Sequence, residues 1–211
     1  MANLESITAI VRALIPKCPA PVVNRHLHRA ARELCRNSLA WTAVIPAESV
    51  VSSSFPMEIV DSSSTRVVKI LSVRRDDVQL EQSDIATEEQ LSDAWRSSTG
   101  VPLRWVEESP GVLLIVPLPD EACSVDVEVA IEPASSSMEI GDALLLDHED
   151  TLVAGTVHRL CMIPGQPWSS PEMAAYYKGE FDKGIDDAKA DTHKNRRVGS
   201  AITMNTRAFV L

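Results

Sequence analysis

The stretch PGQPWSSPEMAAYY at residues 164–177 decides how the C-terminal third of this chain folds. Pro164 and Pro167 exclude a helix between them, because proline lacks a backbone N–H and clashes with the preceding helical turn. Ser170 followed by Pro171 is typical of a helix start, with a hydroxyl N-cap and proline at the first helical position. We therefore predict two helices that meet at a rigid corner.

The helices on either side of this corner are predicted from their apolar periodicity. Residues 147–162 begin with acidic side chains, which a helix dipole favours there, and Gly155 would allow a close helix crossing. Residues 171–194 form the longest predicted helix, and its apolar stripe consists of Met173, Tyr177, Phe181, Ile185 and Ala188. Trp168 is predicted to be largely buried. The predicted structural corner consists of Pro167, Trp168, Pro171, Tyr177 and Phe181.

Two more helices are predicted at the N-terminus, over residues 4–14 and 22–38, on either side of the helix-breaking stretch KCPAP. The second of these helices places its apolar residues on one side and its arginines on the opposite side. We call those arginines the arginine stripe: Arg25, Arg29, Arg32 and Arg36. The stripe is compatible with a solvated face or with a docking surface for an acidic neighbour.

Between residues 41 and 132 the pattern changes to short runs rich in valine and isoleucine, with hairpin turns predicted at RRDD and SPG. The segment SVDVEVAIE at residues 124–132 alternates strictly, which indicates a half-buried antiparallel strand. It places Val125, Val127, Val129 and Ile131 inward and Asp126, Glu128 and Glu132 outward. A short helix is predicted over TEEQLSDAW at residues 87–95, with Thr87 and Gln90 spaced as a capping box.

The order of these elements predicts an α+β fold in which helices from both chain ends enclose a β-rich middle. Because those helices need a common core, we expect one helical bundle with an inserted antiparallel β-rich domain. The residues after the longest helix are basic and apolar, and they are predicted to form an extended C-terminal arm. The predicted units are a helical bundle domain at residues 1–40 and 141–195, a β-rich insertion at 41–140 and an arm at 196–211.

The composition of the 211-residue chain limits the classes of function. A formal net charge of −10 argues against a non-specific grip on DNA, which needs lysine and arginine to neutralise phosphates. No apolar run reaches the roughly 18–20 residues of a membrane span, so no membrane partner is expected. The four cysteines show no paired spacing and are expected to stay reduced in the cytosol.

Catalytic motifs are absent from the sequence. The eight glycines form no phosphate-binding loop, and no G-x-S-x-G, H-E-x-x-H or C-x-x-C pattern occurs. The acidic run DHED at residues 147–150 is explained by helix capping, and His158 with Cys161 supplies too few ligands for a zinc site. We therefore expect no catalytic residue, metal or cofactor, and we favour a structural or interaction protein over an enzyme.

The order of the segments resembles the head-to-tail adaptor (connector) proteins of tailed bacteriophages. An N-terminal helix pair leads through LCRNSLAWTAV at residues 34–44 into the β-rich insert, and a helix then ends in VHRLCMIPGQPW at residues 157–168. In that family a helix ending in L…P…PW is followed by a long A..Y…F…I..A helix. The matching positions are Leu160, Pro164, Pro167, Trp168, Pro171, Ala174, Tyr177, Phe181, Ile185 and Ala188.

The resemblance implies a structural virion protein that joins the portal to the tail in the phage neck and lines the DNA exit channel. The implied partners are the portal protein, a tail nozzle, stopper or tail-tube protein, further copies of the chain in a dodecameric ring, and passing DNA without specific binding. Assembly would take place in the host cytoplasm. Two alternatives stay open, a tail-completion or stopper protein of the phage neck and a cytosolic enzyme with an unrecognised site.

The predicted arm carries the candidate contacts with a partner. Its arginines and alternating apolar residues indicate a segment that adds to a neighbour's surface as an extra strand. The resemblance makes a portal subunit or an adjacent adaptor copy the acceptor. The candidate portal- or partner-binding residues are Arg196, Arg197, Ile202, Met204, Arg207, Phe209, Val210 and Leu211.

Overall fold

The computed structural model describes residues 4–60, 62–137 and 139–198. Its helices are α1 (Leu4–Leu14), α2 (Ala20–Ser38), α3 (Ile85–Leu91), α4 (Asp142–Asp147), α5 (Glu149–Cys161) and α6 (Pro171–Val198). Its strands are β1 (Thr42–Val50), β2 (Met57–Glu58), β3 (Thr65–Arg75), β4 (Val78–Gln79), β5 (Glu81–Gln82), β6 (Thr99–Gly100), β7 (Arg104–Ser109), β8 (Val112–Val116), β9 (Leu118–Pro119) and β10 (Cys123–Pro133). The predicted mixed α+β class with antiparallel sheets is confirmed. Within the described residues, no helix combines the length and the apolar character needed to cross a membrane.

Helix α5 lies at the centre of the helical part of the molecule. Every residue from Leu152 to Val157 is buried, so neighbouring elements cover this helix on all sides. A Cβ atom on Gly155 would lie 2.6 Å from the ring of Phe181 in α6 and 3.1 Å from the Cβ of Ala30 in α2. The predicted close crossing at Gly155 is thus confirmed. Side chains of α1, α2, α4, α5 and α6 share one hydrophobic cluster around it.

The N-terminal helices follow their predicted boundaries closely. Helix α1 occupies the predicted residues 4–14, and α2 begins directly after Pro19, slightly before its predicted start. Helix α2 ends at Ser38, where Leu39 adopts a left-handed φ of 54° and donates its N–H back into the helix. The turn between α1 and α2 is short, because it covers only residues 15–19.

The corner that opens α6 is built as its proline and serine residues predict. Helix α6 begins at Pro171, and the hydroxyl of Ser170 accepts a hydrogen bond from the N–H of Met173 at 3.4 Å. The helix continues to Val198, beyond the predicted end at residue 194. Arg196 and Arg197 therefore lie in a helix and not in an extended arm.

The β-rich middle consists of two main sheets. Their strand orders are β1-β10-β3-β4 and β2-β8-β7-β5, and β6 and β9 form a short parallel pair. Both predicted hairpins are confirmed: β3 and β4 turn at Asp76 and Asp77, and β7 and β8 turn at Gly111, all with positive φ. The two sheets pack face to face, since Val127 of one and Ile115 of the other belong to the same buried cluster.

Two predictions within the β-rich middle are wrong. Glu132 is buried and not outward, because α2 covers the end of β10. The short helix α3 begins at Ile85 and is capped by Asp84, whose Oδ1 accepts a hydrogen bond from the N–H of Thr87 at 2.8 Å. Thr87 and Gln90 therefore do not form the predicted capping box. Asp84 accepts the backbone N–H of Thr87, which the box would have given to the side chain of Gln90.

Candidate assembly surfaces

An ion cluster around a buried carboxylate, which we call the α2–β10 joint, consists of Arg32, Arg36 and Glu132. The side chain of Glu132 is 2% exposed, and the two arginines reach it from successive turns of α2. Nη2 of Arg32 lies 3.1 Å from Oε1 of Glu132, Nη2 of Arg36 lies 2.7 Å from the same oxygen, and Nε of Arg36 donates to Oε2. The joint therefore fixes the helical part of the molecule to the end of the long strand β10.

The groups around this joint have shifted pKa values, and each shift is consistent with a structural role of the group and not with a catalytic one. Burial raises the pKa of Glu132, but the hydrogen bonds and charges of Arg36 and Arg32 outweigh it and hold the pKa below its usual value. Burial, followed by the charge of Arg32, lowers the pKa of His28. Burial, with the charge of Glu132, raises the pKa of Cys35 to about 12, so this thiol is not a nucleophile at neutral pH.

The four arginines of the stripe lie in two different environments. Arg32 and Arg36 bind Glu132 of their own chain, so the acidic neighbour of this half is intramolecular. Arg25 and Arg29 are exposed and form no ion pair with any residue in the described part of the chain. A shallow groove of about 250 Å³ follows the stripe and is lined by Arg29, Arg32, Glu33, Arg36 and Asn37. The Arg25–Arg29 half is thus available to a partner.

The tryptophan corner lies where α1 and α5 end and α6 begins. Trp168 is half-buried and packs against the edge of the helical cluster, beside a shallow cleft of about 180 Å³. Its indole Nε1 is buried with no hydrogen-bond partner among the described residues. Phe181 is fully buried in the cluster, and Tyr177 packs against it half-exposed, while Pro167 and Pro171 lie at the surface.

Apolar side chains are exposed around this corner. Leu14 and Met173 line the same cleft as Trp168 and are 40% and 37% exposed. Met162 follows the end of α5 and Tyr176 lies early in α6, and these side chains are 60% and 64% exposed. A cluster of exposed large apolar side chains is typical of a surface that meets another protein. The corner is therefore a second candidate assembly surface.

The predicted partner-binding residues of the arm fall mostly outside the described residues. Arg196 and Arg197 lie in the last turn of α6, and the structure describes only their backbone. The other candidates lie beyond residue 198 and outside the described residues: Ile202, Met204, Arg207, Phe209, Val210 and Leu211. Their part in assembly stays a prediction.

The residue pair that could have begun a metal site has structural partners. Nδ1 of His158 lies 2.9 Å from the carbonyl oxygen of Ala174, which ties α5 to α6. Cys161 is buried, and burial raises the pKa of its thiol. Among the residues that the structure describes, no group of three or more His, Cys, Asp or Glu side chains is arranged to hold a metal ion.

Comparison with known proteins gives one result for nearly the whole chain. The family model described as SU10 adaptor protein matches residues 2–204. No curated protein matches the chain. The matched range includes the helices of both ends, the β-rich middle, the α2–β10 joint and the tryptophan corner, so the match does not depend on a single motif.

Proposed function

Because the chain belongs to the SU10 adaptor protein family, a family of phage head-to-tail adaptors, we propose that it forms a dodecameric ring that lines the DNA exit channel. Family membership makes it a structural protein of the bacteriophage head-tail connector, which interacts with portal and tail components in the virion neck. The observation that carries the proposal is the family match over residues 2–204. A structural adaptor needs no reaction of its own.

We propose that the helical part, residues 1–40 and 141–195, forms the wall of the ring. The hydrophobic cluster shared by α1, α2, α5 and α6 supports this assignment, because it makes helices from both ends of the chain one rigid unit. Residues 41–140 then form an insertion that faces outward or towards the tail. The α2–β10 joint supports a fixed orientation of this insertion, since three N–H groups of α2 bind one carboxylate of β10.

Passing DNA is expected to meet an acidic channel. Each copy carries a formal net charge of −10, and a ring multiplies that charge by its copy number. Phosphates would be repelled from such a wall, so DNA would move through it without specific binding. The purified protein should show no appreciable affinity for duplex DNA at physiological salt, whereas tight and salt-sensitive binding in a titration would contradict the passive channel.

The portal contact is assigned to the C-terminal residues, with the tail nozzle, stopper or tail-tube protein on the opposite side of the ring. Support comes from sequence, because Arg207 and the apolar end Phe209, Val210 and Leu211 are unusual on an acidic chain. Exposed apolar residues are a liability in water unless they dock on a partner. Assembly in the host cytoplasm would bring the portal and the adaptor together before the tail joins.

Reconstitution with purified portal protein tests this function. Full-length chain mixed with portal rings should form a complex whose native mass shows a full ring of added copies. A variant lacking residues 199–211 should melt at nearly the same temperature but fail to join the portal, because the helical cluster lies within the described residues before that segment. If the full-length chain does not join any portal, the adaptor ring is wrong; if the truncated chain joins with full affinity, only the arm assignment is wrong.

A further inference from the structure

Helices α2 and α6 each carry a charged stripe on the side that faces away from the helical cluster. On α2, Val23, Leu27 and Leu34 are buried, and the arginine stripe lies on the opposite side of the helix. On α6, Ala174 and Phe181 are buried, and three exposed carboxylates lie away from them. We call these carboxylates the acid stripe: Glu172, Glu180 and Asp187. Since α2, α5 and α6 pack together around Gly155, the two stripes face outward in different directions.

The acid stripe differs from the other acidic residues of α6 in forming no ion pair within the described residues. Asp182, Asp186 and Asp191 each pair with a lysine three or four residues away on the same helix. Glu172, Glu180 and Asp187 form no ion pair with any residue that the structure describes. Lys183 lies within about one turn of Glu180 and Asp187 but pairs with neither within the described residues, so the acid stripe stays negative on balance and its carboxylates are open to a partner.

The N-terminal half of the arginine stripe keeps an unpaired positive charge. Arg25 and Arg29 are exposed and unpaired within the described ranges. Burial lowers the pKa of the neighbouring His26, and the positive charges of Arg29, Arg159 and Arg25 lower it further. The chain thus presents two outward surfaces of opposite sign although its net charge is −10.

The two sets of free charges have similar extents along their helices. Arg25 and Arg29 are four residues apart on α2, about 6 Å along the helix axis, and Glu180 and Asp187 are seven residues apart on α6, about 10 Å. Both spans fit within two helical turns, so two helices that lie side by side could bring the Arg25–Arg29 pair to the Glu180–Asp187 pair.

We propose that the free half of the arginine stripe, Arg25 and Arg29 on α2 of one copy, binds the acid stripe on α6 of the next copy and so makes the lateral contact of the ring. This inference rests on the proposed ring and names the surface that closes it. A second copy is the occupant because one chain carries both complementary surfaces on different sides, which is the arrangement of a head-to-tail contact. It also lets copies of net charge −10 approach one another, since unlike charges meet at the interface.

Charge reversal on each side tests the contact without touching the α2–β10 joint. One variant carries Arg25→Glu and Arg29→Glu, and a second carries Glu180→Lys and Asp187→Lys. All four positions are exposed, so both variants should keep the wild-type melting temperature. Each variant alone should assemble on portal rings about tenfold or more weakly than wild type, because like charges then face each other at every lateral contact.

Restoration by the combined variant is the decisive result. A chain with all four substitutions presents the same pairs with reversed sign, so it should recover ring assembly on the portal. A matched control with Arg66→Glu and Arg74→Glu, two exposed arginines of β3, makes the same charge change away from the stripes and should assemble as wild type. Single-side variants that assemble normally, or a combined variant that fails as badly as either parent, would overturn the contact.

Two further readouts keep this test separate from the proposed function and from DNA binding. If the wild-type chain never joins a portal, the adaptor ring itself is wrong. If wild type joins the portal and the charge-reversal variants assemble as well as it does, only the lateral contact is wrong. Duplex DNA is the competing acidic occupant of the arginine stripe. Salt-sensitive DNA binding by wild type that is lost with Arg25→Glu and Arg29→Glu, together with unchanged assembly, would assign the stripe to phosphates instead.

Discussion

The two halves of the arginine stripe have the same residue type and the same helical face, but they meet different surroundings. Arg32 and Arg36 converge on the buried carboxylate of Glu132 and hold α2 to β10. Arg25 and Arg29, about two turns and one turn before Arg32, form no ion pair within the described residues. A basic face on an acidic chain thus contains an internal joint and a free surface side by side.

This difference shows that a charge pattern on a helix identifies the outward side but not the partner. The end of β10 reaches only the C-terminal half of α2, so the internal carboxylate neutralises that half alone. The N-terminal half keeps its charge for an external group. Substitutions in the two halves should therefore act on different properties, stability in one case and assembly in the other.

The largest expected effect comes from the core that supports both halves. Phe181→Ala would leave a cavity where α6 packs on Gly155 beside Ala30 of α2, and it should lower the free energy of unfolding by about 3–5 kcal/mol. Phe181→Leu keeps most of the volume and should cost much less. Chemical denaturation measures both. Equal, small losses for the two variants would show that the helices do not depend on this crossing.

Breaking the joint should have the next largest effect. Glu132→Gln removes the charge that two guanidinium groups share, and it should lower the free energy of unfolding by about 1.5–3 kcal/mol, the range for hydrogen bonds to charged groups. Glu89→Gln, at an exposed position of α3, is the matched control and should change stability by less than about 0.5 kcal/mol. Indistinguishable denaturation midpoints for the two variants would remove the distinction between the halves of the stripe.

The pH dependence of stability tests whether the charge of Glu132 stabilises the α2–β10 joint. The folded pKa of Glu132 is held below its unfolded value, so its contribution is fully present above the usual pKa of about 4.3 and is lost as pH falls through the folded pKa. The stability difference between wild type and Glu132→Gln should therefore be constant near neutral pH and shrink below about pH 4.3. A difference that stays constant down to pH 2 would contradict the assigned role of the charge.

A separate and smaller loss of stability, due to His28, is expected as the pH falls from 8 to 5. The folded pKa of His28 is lowered, so its contribution is present above the usual histidine pKa of about 6.5 and decreases as the pH falls below it. Wild type and Glu132→Gln should both show this loss, because His28 is present in each. Thermal melting between pH 8 and pH 5 measures it, and a melting temperature that is flat across this interval would count against it.

The smallest expected effect is on the free half of the stripe. Arg25→Gln with Arg29→Gln should change the free energy of unfolding by less than about 0.5 kcal/mol, because neither side chain has an ion partner within the described chain. Equilibrium denaturation of this double variant beside Glu132→Gln gives the comparison directly. A loss as large as that of Glu132→Gln would show that Arg25 and Arg29 also serve the fold.

Much of the helical part was predictable from sequence because its signals are local. The serine and proline that open α6, the glycine at the crossing and the periodicity of α1 and α2 each depend on a few neighbouring residues. The two hairpins were found for the same reason, since their turn residues mark them. Family resemblance rested on the same part of the chain, and the family match extends it to residues 2–204.

The candidate surfaces were less predictable because they depend on contacts between distant segments. The strict alternation of β10 placed Glu132 outward, and nothing in that strand shows that α2, about a hundred residues earlier, covers its outer face there. Trp168 packs against the core at its edge, and the exposed apolar side chains beside it depend on where α1 and α5 end, which the motif itself does not show. The split of the arginine stripe follows from the same long-range contact and has no local signal.

A cryo-electron microscopy structure of the chain assembled on its portal would test the lateral contact most directly. We expect a closed ring in which Arg25 and Arg29 of each copy lie within about 4 Å of carboxylates on α6 of the next copy. In the same structure Arg32 and Arg36 should stay on Glu132 of their own chain. A ring in which the free half of the stripe faces solvent or the DNA channel, with α6 away from the neighbouring copy, would contradict it.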